Sequence, residues 1–258
     1  MIKASFISTK FSPFIYVFLL TLTGTTIGLL DATVTKATES RSSSQPPRII
    51  FNLPPKGAPG SRGEAGSRDK CPQAVKEMTA LVPANNSGQT LSDRPSFWFY
   101  IPYSETSESK IIFELQDSKQ NSQTAILSFQ KIPGVVQIPF PKTFSPLKSG
   151  QRYRWKLTYL CNQSTSDNLK SVEGAIDKII RSDSTEEKLK RASSIYQKSK
   201  IYADNGIWFD LLNLLSKKDQ KLSVQEDQKK ILYELFNQSP EIDLANFVEN
   251  FYPVSLPK

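Results

Sequence analysis

The chain has 258 residues, 33 basic and 25 acidic side chains (formal net charge +8), two cysteines and no histidine. Without an imidazole there is no Ser-His-Asp or Cys-His nucleophile, no HExxH zinc site and no histidine pH switch. No GxxxxGK[ST] loop, GxGxxG turn or DxDxDG loop occurs, so the usual signatures of nucleotide and EF-hand calcium binding are missing. The length allows one or two domains with a sizeable core.

Residues 1–37 read as an export signal. Lys3 and Lys10 form a short positive start, Phe14 to Leu22 is a compact apolar stretch that loosens toward Leu30, and small residues follow, with Ala32 and Ala37 as cleavage sites. The alternative is an uncleaved anchor, which the short, Thr- and Gly-bearing run suits less well. Cleavage would remove Lys3, Lys10, Lys36 and Asp31 and leave a mild positive excess. Dispersed basic residues on an exported chain do not make a nucleic-acid footprint. Export and an even count favour one disulfide between Cys71 and Cys161.

Residues 38–47 (TESRSSSQPP) form a polar linker with nothing to bury. Arg48–Leu53 is a candidate first strand. Gly57, Gly60, Gly63 and Gly66 then recur at intervals of three. A collagen helix needs far longer runs and three chains, so this stretch reads as an exposed loop tied down at Cys71.

From Thr90 to about Ile180 the pattern is short β segments between turns: 96–101, 110–116, 124–130, 135–140, 153–161 and 171–179. In the fifth of these, Tyr153, Trp155, Leu157, Tyr159 and Cys161 share a dry face, while Arg152, Arg154, Lys156 and Thr158 share a wet one. Pro139 requires its strand to lie at an edge or to end there. After Ser182 the period becomes helical. Ser184-Thr-Glu-Glu187 reads as a capping box opening a helix toward Ala203, and Asn205-Gly206 as its stop. A second helix starts at Ile207, a third at the Ser223–Glu226 capping box, and a last short one spans 242–251. The fold class expected is α+β: an antiparallel, immunoglobulin-like β-sandwich over 48–181, followed by a small C-terminal helical subdomain over 182–258.

Three blocks carry a resemblance. GAPGSRGEAGSRDKC (57–71) with ALVP (80–83), RPSFWFYIPY (94–103) with FELQD (113–117), and IYADNGIWFDLL (201–212) occur in that order. Together they resemble the cyanobacterial exported family catalogued as domain of unknown function 928. The resemblance runs from about Arg48 to Leu215, supports export and the cysteine pairing, and implies no activity. The turn at 202–212 is also similar to one tetratricopeptide hairpin. A single hairpin is not an array, so an ordinary helical hairpin is expected.

For chemistry, Trp98 and Tyr100, with Tyr103 just beyond their strand, are the candidate binding surface. Exposed aromatics on a sheet can stack on sugar rings or anchor a protein. The competing and favoured expectation is that the C-terminal helices cover that face. The acids Glu105, Glu108, Glu114 and Asp117 make no persuasive pair for glycoside cleavage. No metal or cofactor is expected. The chain thus reads as an exported, non-enzymatic binding or assembly module of the cell envelope, periplasmic or extracellular. An envelope protein or polysaccharide would be its partner, nucleic acid would not, and a membrane only through a retained signal. A glycan hydrolase using Asp/Glu, or a carbohydrate or lipid-surface binder using exposed aromatics, are the alternatives.

Overall fold

The computed structural model describes residues 48–60, 63, 71, 74, 76–104, 106–107, 109–128, 132–161, 169–217 and 222–237. They carry eight strands: β1 (Thr79–Ala80), β2 (Ser87–Thr90), β3 (Phe97–Ile101), β4 (Lys110–Gln116), β5 (Ser122–Leu127), β6 (Gly134–Ile138), β7 (Gln151–Leu160) and β8 (Leu169–Lys178). Four helices follow: α1 (Asp183–Arg191), α2 (Ile195–Asp204), α3 (Trp208–Leu215) and α4 (Leu222–Asn237). Among the described residues the class is mixed α and β, with two open sheets and no closed barrel. None of the helices among the described residues is long and apolar enough to cross a membrane.

One sheet has the order β1-β3-β6 and the other β2-β8-β7-β4-β5. All pairings are antiparallel except β2 with β8, which is parallel, a departure from the all-antiparallel expectation. The alternation in β7 is as expected. Tyr153, Trp155, Leu157 and Tyr159 are buried, and their neighbours are not. Phe97 and Phe99 of β3 meet Phe113 of β4 (centroids 4.8 and 6.5 Å apart) and Trp155 of β7 (6.3 and 5.5 Å). These rings tie the three-stranded sheet to the five-stranded one. Strand β6 closes its sheet and stops at Ile138, just before Pro139, because a proline has no N–H to give the ladder.

Gly174 of β8 sits beneath the Trp155 ring, and a Cβ there would also lie 2.7 Å from the Asn86 carbonyl oxygen. The absence of a side chain is what lets β2, β8 and the tryptophan close together.

The N-terminal segment corrects one expectation. Arg48–Leu53 is not a strand. Its polar groups go to the end of α2 instead: the Asn52 N–H donates to Ala203 O (3.0 Å) and its side-chain amide to Asp204 O (2.8 Å). Ile49 is buried, and Phe51 meets Trp208 edge-on at 4.9 Å.

The expected helix over 184–203 is two helices. Ser182 rather than Ser184 caps α1, its hydroxyl accepting from Thr185 N at 3.2 Å. The chain then leaves the helical conformation at Ala192, and Ser194 caps α2 by accepting from Gln197 N at 3.1 Å. Consecutive serines offer the backbone a local alternative to the helical ladder, and here it wins. Likewise α4 begins at Leu222, so Ser223 lies inside it. The expected last helix at 242–251 falls outside the described residues.

A single apolar cluster takes in both sheets together with α3 and α4. Phe209 of α3 reaches Phe97 of β3 at 5.3 Å, and Gly88 of β2 gives room for it. A Cβ at Gly88 would stand 2.9 Å from both Phe209 and Trp208.

Candidate functional site

Strand β3 decides what the aromatic surface can do. Alternation sends Phe97 and Phe99 toward the other sheet, which leaves Trp98 and Tyr100 on the opposite side. Trp98 is only 2% exposed and belongs to the apolar cluster. Of the two readings of this strand, the open Trp98 is the one that fails, and the favoured reading of a covered ring agrees with its burial. The ring is a second layer of core rather than a free stacking platform.

Tyr103 is buried too, at 4% exposure, because it stacks on Tyr159 (centroids 4.7 Å, planes 21° apart). Tyr159 is fixed in turn by donating its hydroxyl to Ser104 O at 2.9 Å. Tyr100 is only partly buried. These residues nevertheless come together. Tyr100, Tyr103 and Tyr159, with Pro102, Pro133 and Lys76, line an open groove of about 540 Å³. Of the three residues proposed from sequence, two line this groove and Trp98 does not. Tyr159 carried the signal of a dry-face residue. Lys76 and Pro133 gave no signal, since only the fold brings their segments beside β3.

One half of the disulfide lines the groove. Cys71 and Cys161 are bonded, with Cα atoms 5.5 Å apart. Cys161, directly after β7, lines the groove, as does Ala74, three residues beyond Cys71. The bridge thus holds Cys71 against the end of β7.

A second depression, of about 410 Å³, lies over the far end of the same sheet, between Arg152, Asp177, Lys56 and Ile180. Its charges serve the chain itself. Arg152 donates to Gly57 O (2.6 Å), to Ser87 Oγ (3.3 Å) and to Asp177 (3.1 Å). Burial pushes the Asp177 carboxyl above its ordinary value, against the pull of Arg152, Lys56 and the Ser87 hydroxyl. This cluster clamps residues 56–57 onto the sheet.

The acids weighed for hydrolysis are spoken for or stand apart. Asp117 accepts from the N–H groups of Lys119 and Asn121 and from the Asn121 amide, which holds its carboxyl below the usual range. It builds the β4–β5 turn. Glu114 sits mid-strand opposite Lys156. Glu105 and Glu108 lie outside the described residues. Among the described residues no cluster of metal-ligating side chains occurs.

A family model described as Domain of Unknown Function (DUF928) matches residues 60–250. The chain belongs to this family. That span contains the whole groove, the disulfide and all of the strands and helices. No curated protein and no solved structure matches the chain.

Proposed function

We propose that this chain is an exported, non-enzymatic binding module of the cell envelope, and that the groove beside the disulfide holds an extended segment of an envelope protein. The architecture we infer for it is an immunoglobulin-like β-sandwich with a C-terminal helical subdomain, which the ring contacts between the two sheets support. The observation that carries the reading is the groove's make-up: tyrosines and prolines beside one half of the disulfide. Aromatic- and proline-lined grooves suit extended polypeptides, which they grip by ring edges and by hydroxyl hydrogen bonds.

A glycan is less well served. Sugar stacking needs an open aromatic face, and the face of Tyr103 is occupied by Tyr159. None of the described lining residues is an aspartate or glutamate, so the described lining offers no carboxylate pair for hydrolysis.

The test is a photo-crosslinking amino acid placed at Tyr100 in the cell that makes the protein. A discrete protein adduct, lost when Pro102 is changed to a bulky charged residue, is expected. Adducts only with lipid or glycan would overturn the reading, as would release of sugar from an envelope polysaccharide by the purified chain.

A further inference from the structure

We propose that β5 is a self-association edge, on which two copies of the chain join in an antiparallel, two-fold arrangement centred on Ile126. The two five-stranded sheets would then become one of ten. This goes beyond the groove and does not depend on it.

The geometry starts at the β4–β5 turn. Asp117 N donates to Asn121 O and Gln120 N to Asp117 O, both at 3.0 Å, with Gln120 in the left-handed region (φ 67°). This is a bulged hairpin turn, and it makes 117–121 a hydrogen-bonded pair. Antiparallel ladders alternate, so in β5 the odd-numbered residues bond inward to β4. The N–H and C=O groups of Ser122, Thr124 and Ile126 point away from it. Strand β5 ends its sheet, and these same three residues are exposed, Ile126 by 64%.

Sheet edges are normally protected by charge, proline, a bulge within the strand, or a covering element. The opposite edge of this sheet is covered. Gly88 of β2 lies under Trp208 and Phe209, and Gln89 N donates to Gly206 O at 3.2 Å. Strand β5 reads SQTAIL, with no charge, no proline and no glycine. On its inner face Gln123 Oε1 accepts from Ser145 N at 2.6 Å, and on its outer face Ser122 Oγ accepts from Gln116 Nε2 at 3.3 Å.

The occupant is a second copy because the strand complements itself. With Ile126 on the two-fold axis, outward-pointing residues meet outward-pointing residues, as a ladder requires. In this register Ile126 faces Ile126, Ala125 faces Leu127 and Thr124 faces Ser128. Apolar therefore meets apolar, and hydroxyl meets hydroxyl. Ile112 is already the cross-strand partner of Ile126, so four isoleucines would form one row across the junction. Moving the axis to Thr124 would set Ile126 against Ser122 and break that row. Paired over residues 124–128 of each copy, the junction buries less than a standard interface of about 800 Å² per partner. The association is accordingly weak and concentration-dependent.

Sedimentation velocity of the full, oxidised chain over a wide concentration range tests this, with parent, Ile126→Lys and Thr124→Pro compared. Lysine at 126 sets like charges opposite each other on the axis. Proline at 124 removes an outward N–H without costing a bond to β4. Each should weaken dimerisation by roughly tenfold or more while leaving the far-ultraviolet circular dichroism unchanged. A parent that stays monomeric at every concentration overturns the proposal. So does a dimer that both variants retain, because it must then form elsewhere.

Discussion

The indole Nε1 of Trp208 donates a 2.8 Å hydrogen bond to the carbonyl oxygen of Leu81, 127 positions earlier in the chain, in a buried setting. Leu81 also donates its own N–H to Trp98 O at 2.9 Å. One residue after β1 is thereby held to β3 on one side and to α3 on the other. The Trp208 ring meets Phe51 and Phe236 as well, so the N-terminal segment, the three-stranded sheet and two helices converge on it. Trp208→Phe would keep an aromatic ring but orphan a buried carbonyl. The expected cost is about 1–3 kcal/mol for the unsatisfied group, with a further loss for the missing volume. Urea unfolding checks this, and equal midpoints for variant and parent would contradict it.

The bridge offers a second measurement. Ninety positions separate Cys71 from Cys161. A cross-link over such a loop stabilises by roughly 4–5 kcal/mol when its effect is the lost entropy of the unfolded chain. Cys71→Ser should therefore melt well below the parent in air, and the two should coincide in reductant. Coincident melts in air would mean that the bridge constrains nothing. Because Ala74 and Cys161 line the groove, the same substitution should also weaken capture at Tyr100.

How much of this was legible in the residues depends on what each segment packs against. Strand β7 could be read because one face is dry and the other wet, and burial in the fold follows that alternation residue by residue. Strand β3 has apolar residues on both faces, so its pattern marks a strand without saying which side is open. The fate of Trp98 depended on tertiary packing that no local period encodes. Strands β1 and β2, of two and four residues, are too short and too small in side chain to declare themselves. They exist because β3 and β8 offer partners. Parity also carries no direction, which is why the parallel pairing of β2 with β8 was invisible. The groove was half legible for the same reason. Tyr100 and Tyr103 announced themselves near one strand, whereas Lys76 and Pro133 arrive from segments that only the fold brings alongside.

Asp210 makes the fold's stability depend on pH. Its carboxylate enters the junction of β2 and α3, accepting from Thr90 Oγ1 at 2.7 Å and Leu91 N at 2.9 Å. Burial nevertheless pushes its carboxyl above the ordinary 3.8, the two hydrogen bonds and the attraction of Lys178 only partly offsetting it. Lys178 is already engaged, donating to Leu91 O at 2.7 Å and pairing with Asp93 at 3.0 Å. A raised native value means that the folded chain holds this proton more tightly than the unfolded one. The contribution of Asp210 to stability must then fall as pH rises from 3.8 through the native value, and stay low above it. Asp177 shifts in the same direction, so the parent's slope alone does not isolate Asp210, but a comparison with Asp210→Asn does. Asparagine keeps an oxygen for Thr90 and Leu91 and never ionises. The variant should lack part of the parent's decline in the weakly acidic range and be at least as stable at neutral pH, as read from urea midpoints across a pH series. A variant that loses stability most at neutral pH would show that attraction to Lys178 outweighs the cost of burying the charge.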